Sequence, residues 1–384
     1  MSGQVKIGIN AFGCDHGRSG FGSYLKSFVR NITDPGRAVL EIFGPEIDRY
    51  TYIPDSDFIQ YAGVSVPDSP ASERLWHLMS YASFVRKRAY DAVIFPAGAS
   101  YLPLGFEIPG VVILQSVFAG GKAVEDAPAM SVVTRQQLRK AARIIASSRF
   151  VRDNLVSLRI PEPLISVVYN GIDNTLFYPR IQSEVDSVLI HPFSIRRPYI
   201  IYASKISWPS KCHVELIQGF TQFKEQTGAP HRLVLAGTDG ENADMVHREV
   251  FRSPYASDIL LTGYFPQESL PELYSAADAC VFPAKNEGVG FPVLEAMACG
   301  IPVACASCGA LPEVAGDCAV FFDPEKPEEI AAAIGKVVRL QSGVNDRFRK
   351  TVTGKALEWV AGYTWARCSA ETLQIAVEAA LGSL

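Results

Sequence analysis

The sequence has no apolar run long enough to cross a bilayer. Its opening residues, Met1-Ser-Gly-Gln-Val-Lys6, run straight into a strand pattern instead of a secretory leader. A spanning protein and an exported one are therefore not expected, and a cytoplasmic location is. Charge of one sign is also lacking: 36 Lys and Arg stand against 40 Asp and Glu, a net charge of −4. No basic excess points to a nucleic-acid partner. The first glycine-rich loop is not G-x-G-x-x-G, so the fingerprint a nicotinamide oxidoreductase needs is missing. Eight cysteines are scattered through apolar contexts, as in a reduced compartment. Cys305 and Cys308 form a C-x-x-C, but no second pair or His cluster follows, which favours packed thiols over a metal site.

What remains is an ordinary globular composition, 48% hydrophobic and 20% charged, over 384 residues. That length suggests two domains, each with its own core. Strand-like and helix-like runs alternate throughout, which predicts an α/β fold of doubly wound parallel sheets. Val5–Asn10 reads as the first strand, the glycine loop Phe12–Gly22 follows, and a helix is expected from about Ser23 to Ile32. Further strands are expected at Val39–Phe43, Asp91–Phe95, Val111–Leu114 and Ile144–Ser148. Ser72–Tyr90 reads as one helix carrying Arg86-Lys87-Arg88, and Thr134–Arg143 as a basic helix. Each basic run is open to two readings, a surface for peripheral membrane contact or the solvated end of a packed helix. Asn174–Pro198 reads as a linker. Beyond it, strands are expected at Tyr199–Ala203, His231–Ala236 and Ile259–Gly263, and helices at Leu270–Ala276, Glu328–Arg339 and after Trp365.

The most informative stretch is 276–324. A buried strand, Ala279–Phe282, is closed by Pro283. A loop with Glu287, Gly288 and Gly290 follows, and Pro292 suits the first turn of a short helix, Val293–Cys299. Two carboxylates, Glu287 and Glu295, with seven residues between them, are thus tied to one strand–loop–helix corner. The glycines let backbone approach a ligand, and N–H groups at a helix start attract an anion. A ligand with both hydroxyls and phosphates suits such a corner. Spacing alone leaves a blander reading open, with Glu295 complementing the helix dipole and Glu287 a solvated loop residue.

The run Glu287-Gly-Val-Gly-Phe-Pro-Val-Leu-Glu295-Ala-Met-Ala-Cys-Gly-Ile-Pro-Val303, followed by Leu311-Pro-Glu-Val-Ala-Gly316 and Phe322-Asp-Pro324, resembles the signature of retaining glycosyltransferases of family 4. Asn170-Gly-Ile-Asp173 with Phe177 and Pro179 matches a second stretch of that family. The resemblance implies the GT-B fold, two Rossmann-like domains facing across a cleft. It places the acceptor-side domain at 1–180, the nucleotide-sugar domain at 190–364, and a final helix, 365–384, back on the first domain. It implies that Glu295 holds the nucleotide ribose. Glu287 holds donor-sugar hydroxyls, with Gly288, Val289, Gly290 and Phe291 lending backbone N–H groups. Lys205 and Lys211 match a cationic pair that holds the donor diphosphate; Lys205 stands where the family usually has Arg, so a bidentate clamp becomes a point charge. Gly20 and Gly22 match the glycines of the first loop, where Ser23 replaces a usual Arg. Gln115 stands where many members have a donor-contacting His, and it cannot take a proton.

The expected reaction is hexose transfer from a nucleotide-sugar to a saccharide or lipid-linked saccharide in polysaccharide biosynthesis. The donor closest to the resemblance is GDP-mannose. No metal and no cofactor are expected: Asp55-Ser-Asp57 is the only Asp-x-Asp and lies far from the donor corner. Gly120 to Pro128 is a candidate acceptor loop. A UDP-sugar transferase and a sugar-nucleotide 2-epimerase are the alternatives. The epimerase needs titratable groups at the sugar, and of six scattered histidines only His16 lies near the expected corner.

Overall fold

The computed structural model describes residues 3–53, 58–116, 130–180, 187–190, 193–339 and 346–382. Asp55-Ser-Asp57 and the 120–128 loop lie outside these. The described residues divide into two compact units, one formed by the chain up to 116, by 130–171 and by the segment from 364 on, the other by 172–363.

The first unit is built on seven parallel strands. These are β1 (Val5–Asn10), β2 (Ala38–Pro45), β3 (Ile59–Val64), β4 (Ala92–Phe95), β5 (Gly110–Leu114), β6 (Arg143–Ala146) and β7 (Ile165–Val167). Their order is β3-β2-β1-β4-β5-β6-β7, so the direction of winding reverses between β1 and β4. Alternation along the strands serves two faces. Val93 and Phe95, Val112 and Leu114, and Ile144 and Ala146 pack with Tyr81 and Val85. The intervening Ile94, Val111, Ile113 and Ile145 are just as buried. The helix Trp365–Leu381 packs on β1, β4, β5 and β6. Ser369 donates to the carbonyl of Phe28 (2.8 Å), and the Trp365 ring meets Tyr24 edge-on.

The second unit opens with an antiparallel pair, β8 (Ser187–Ile190) and β9 (Phe193–Arg196), where a linker was expected. Phe193 stacks on Phe265 at 5.9 Å, which gives the pair an apolar anchor. Six parallel strands follow: β10 (Tyr199–Ala203), β11 (Arg232–Ala236), β12 (Ile259–Leu261), β13 (Ala279–Phe282), β14 (Val303–Ala306) and β15 (Ala319–Phe322). Their order, β12-β11-β10-β13-β14-β15, repeats the first sheet's winding.

Three local expectations are corrected. The segment 72–90 forms two helices, Pro70–Met79 and Tyr81–Arg88, with Ser80 between them (φ −115°). Ser69 caps the first by accepting from the Ser72 N–H. The basic helix is shorter, Val132–Leu138, and Arg143 opens β6 instead. Ile59–Val64 adds a strand where none was expected.

Candidate active site

β13 delivers the chain to Pro283 and then to the loop with Glu287. Gly290 turns in the left-handed region (φ +76°) and starts the helix Phe291–Ala298, with Pro292 in its first turn. The Glu287 carboxylate is drawn into this turn. Its Oε1 accepts from the Gly290 N–H (3.3 Å), and its Oε2 accepts from Lys211 Nζ (2.9 Å). Both side chains are mostly buried, with 17% of Glu287 and 28% of Lys211 exposed. Burial raises the pKa of Glu287, but Lys211 and the N–H groups of Gly290 and Val289 outweigh it and hold the carboxyl below its usual range. Two of the amides expected to meet a ligand are therefore turned onto the protein's own carboxylate.

Lys211 is fixed from behind. Tyr202 of β10 donates its hydroxyl to the Lys211 carbonyl (2.9 Å), and Cys212 turns in the left-handed region (φ 50°) to start the helix His213–Thr227. The Lys285 N–H donates to the Ser210 carbonyl (2.9 Å), which ties the Lys211 loop to the Glu287 loop. A third loop closes on them after β14. Ala310 N–H donates to the Glu287 carbonyl (2.8 Å), and a Cβ on Gly309 (φ +66°) would lie 2.9 Å from that oxygen. Only glycine fits there.

Glu295 points inward from the same helix and is 8% exposed. Burial lifts its pKa to about 7, offset only by the Tyr274 hydroxyl beside it. Among the described residues it makes no ion pair. Lys205 follows β10 and is exposed, and it too makes no ion pair among the described residues. Its stem lies over Gly240, whose Cβ would meet Lys205 Cε at 2.8 Å. The structure thus joins Lys211, Glu287, Val289 and Gly290 in one network, with Lys205 and Glu295 in the same unit. Gly288 and Phe291 bracket the turn.

Gly20, Gly22 and Gln115 belong to the first unit. Gly20 opens the helix Gly20–Arg30 with nothing near its Cβ position. Gly22 is a packing glycine: a Cβ there would lie 2.3 Å from the Cys14 carbonyl oxygen. Gln115 follows β5, and its Nε2 is buried with no hydrogen-bond partner among the described residues.

Four residues of the donor corner escaped the sequence reading: Lys285, Gly309, Tyr274 and His213. His213 corrects the expectation that only His16 lies near the corner. It is fully buried two residues after Lys211, and Nδ1 meets the Ser207 carbonyl at 2.9 Å. Burial pushes its pKa down to about 4, so the ring is neutral and structural. Its position directly after the cationic loop was the available signal.

Comparison with known proteins gives a consistent set of likenesses. The profile of Glycosyltransferase Family 4 matches residues 23–176, and that of Glycosyl transferases group 1 matches 190–353. The chain is 32% identical over 239 residues to O-antigen chain mannosyltransferase B of Escherichia coli, covering 62% of this chain and 61% of that protein. It is 26% identical to alpha-maltose-1-phosphate synthase of Mycolicibacterium smegmatis, covering 64% of this chain and 65% of that one. The match thus spans less than two thirds of either relative. Among solved structures, sucrose-phosphate synthase of Thermosynechococcus elongatus superimposes with a TM-score of 0.74 at 17% identity, over 97% of this chain and 98% of that one. The Anabaena protein HepE in complex with UDP and glucose gives 0.67 at 18% identity, over 99% and 100%. These two likenesses carry the fold.

Proposed function

The chain belongs to the group 1 and family 4 glycosyltransferases, and from that premise we propose that it moves a hexose from a nucleoside diphosphate to a hydroxyl of a saccharide acceptor. The observation that carries this is the Lys211–Glu287 pair, held at the start of the helix Phe291–Ala298 by three converging loops.

Breaking the anomeric bond puts positive charge on the sugar ring and negative charge on the departing diphosphate, so the enzyme's main task is to stabilise that leaving group. Lys211 is a pre-positioned cation, and Lys205 is a second one, with no counter-ion to displace among the described residues. Together they supply the charge a divalent metal would otherwise bring, and the transfer is metal-independent. Glu295, buried and without an ion pair among the described residues, gains hydrogen bonds when ribose hydroxyls reach it. Glu287 orients the donor sugar.

Retention of configuration comes from the family resemblance, and Glu287 is not read as its nucleophile. A carboxylate that already accepts from an ammonium and backbone amides, with its basicity held down, is a poor nucleophile. Same-face attack, with a diphosphate oxygen taking the acceptor proton, needs no covalent intermediate. The likeness to an O-antigen chain mannosyltransferase favours GDP-mannose as donor and a lipid-linked saccharide as acceptor. Leu75, Leu78 and Met79 are more than half exposed on the helix Pro70–Met79, and Arg86 and Lys87 are exposed on the next. They suit peripheral contact with the inner face of the cell membrane. Among the described residues no helix is long and apolar enough to span one.

The test is a thermal-shift and product-release panel with GDP-mannose, UDP-glucose, GDP, UDP and NAD, with and without EDTA. A ligand at ~100 times its Kd adds about 2.7 kcal/mol to the folded state. One nucleoside diphosphate is expected to stabilise the protein, and its sugar to be released in the presence of EDTA. Loss of activity restored by magnesium would sink the metal-free mechanism, and a response to NAD alone would overturn the transferase.

A further inference from the structure

The first unit carries a cavity of about 250 Å³, lined by Val132, Arg135, Gln136, Arg139 and Arg159. The first four recur at helical spacing, so they share one face of the helix Val132–Leu138 and its C-terminal cap. Leu138 lies on another face and is fully buried. Arg159 follows the helix Arg149–Ser157. Arg139 comes just before β6 and Arg159 just before β7, which sets the cavity toward the amino ends of those strands. Open parallel sheets bind their substrates at the opposite, carboxyl ends. The cavity is thus a second place on this unit, apart from that edge.

Three guanidinium groups meet here, and no carboxylate lines the cavity. None of the three makes an ion pair among the described residues. Arginine keeps its proton in proteins, so titration cannot relieve their mutual repulsion. The Nε of Arg135 is buried with no hydrogen-bond partner among the described residues, a donor that costs free energy until an acceptor reaches it. Arg139 is fixed in place: its Nε and Nη2 both donate to the Arg159 carbonyl, at 3.1 and 2.9 Å. Arg159 takes a left-handed backbone angle (φ +63°) at the helix-ending position where glycine is usual. Its N–H donates to the Val156 carbonyl (2.8 Å), and the Ile160 N–H donates to the Leu155 carbonyl (3.1 Å), as that ending requires. Glycine would end this helix without strain; arginine brings a guanidinium to the cavity instead.

An anion with several acceptor oxygens answers all of these features together. Guanidinium forks match phosphate oxygens in pairs, and the Arg135 Nε gains its acceptor. The volume is several times the roughly 30 Å³ share of one water, which leaves room for a phosphate group. We propose that this cavity is a phosphate-binding site, in which Arg135, Arg139 and Arg159 hold the oxygens of a phosphate monoester. The phosphate is borne by a soluble compound or by a lipid headgroup. Val132 and Val133, 59% and 57% exposed at the cavity's side of the helix start, give the second source an apolar contact. The site does not depend on the donor corner or on the transferase reading.

The experiment follows the arginine Nε–H signals of the ¹⁵N-labelled full chain by NMR while inorganic phosphate or glycerol 3-phosphate is added, with sodium chloride at matched ionic strength as the control. The Arg135 signal is expected to shift saturably with the phosphates and not with chloride. Arg159→Gly removes one guanidinium together with the backbone strain, so it should keep or raise the Tm while weakening phosphate binding about ten-fold or more. Arg135→Lys keeps the charge, loses the planar fork, and should weaken binding several-fold. Co-sedimentation with phosphatidylcholine vesicles containing either phosphatidic acid, a monoester, or phosphatidylglycerol, a diester, separates the two sources. A preference for phosphatidic acid that Arg159→Gly abolishes assigns the phosphate to a lipid. A saturable shift with glycerol 3-phosphate and no such preference assigns it to a soluble compound. The proposal is overturned by the absence of both responses, by a chloride response equal to that of phosphate, or by binding unchanged in either variant.

Discussion

Glu287 does two jobs through one carboxylate: it positions Lys211 and closes the turn before the helix Phe291–Ala298. Glu287→Ala removes both and leaves a partly buried ammonium unpaired, at a cost of about 1–3 kcal/mol. Turnover should fall roughly 100-fold, the scale of losing a pre-positioned electrostatic group, with KM changed less. Glu287→Gln keeps an acceptor for the turn, so it should recover most of the stability and little of the rate. Steady-state kinetics beside urea unfolding separate the two, and wild-type turnover in both variants would remove Glu287 from the mechanism. Glu295 gives a pH signature. Burial raises its pKa from 4.5 unfolded to about 7 folded, so the folded state binds the proton more tightly. Its contribution to stability is full below pH 4.5 and is lost as the pH rises to about 7, a swing of roughly 3 kcal/mol. Glu295→Gln should flatten that slope, as urea midpoints across the range would report. An identical slope in the variant would refute the assignment.

At the scale of elements, the donor corner is an agreement among three loops, and Gly309 is where they come closest. Gly309→Ala adds a Cβ 2.9–3.0 Å from the Glu287 carbonyl oxygen and amide nitrogen, at a φ of +66°. Backbone strain of about 1–2 kcal/mol should appear in stability. Displacement of Glu287 should lower turnover with donor binding retained; unchanged turnover would mean that the third loop does not position Glu287. The sequence carried the strand–loop–helix corner clearly: a short apolar run closed by Pro283, then Gly290 and Pro292, leaves few folds open. It carried the Lys205–Lys211 loop only through resemblance, because two lysines on a loop look the same whether they bind a ligand or water. The Lys285, Gly309 and Tyr274 contributions are tertiary, set by where three strands end, and no local pattern encodes them. Ile59–Val64 hid because Ala62 and Gly63 dilute its β-character. The break at Ser80 hid because two short helices keep one apolar period. The β8–β9 pair hid because its anchor, Phe193 on Phe265, bridges distant positions.

At the scale of the molecule, two units each carry a parallel sheet of the same winding. The exposed Leu75, Leu78 and Met79 yield a prediction here: Leu75→Ser with Leu78→Ser should reduce co-sedimentation with anionic vesicles several-fold without changing nucleotide binding. Equal co-sedimentation would discard the membrane contact. The helix Trp365–Leu381 has a consequence of another kind. It packs on the first unit's sheet, yet it is made after the whole of 172–363. The 192 residues from Ile172 to Tyr363 are translated between that sheet and its cover. At about 5–20 residues per second this takes roughly 10–40 s. The second unit is therefore complete before the first, and the order of completion inverts the order of synthesis. Throughout that interval the emerging chain presents apolar strands to solvent, so its yield depends on what shields them until that helix arrives.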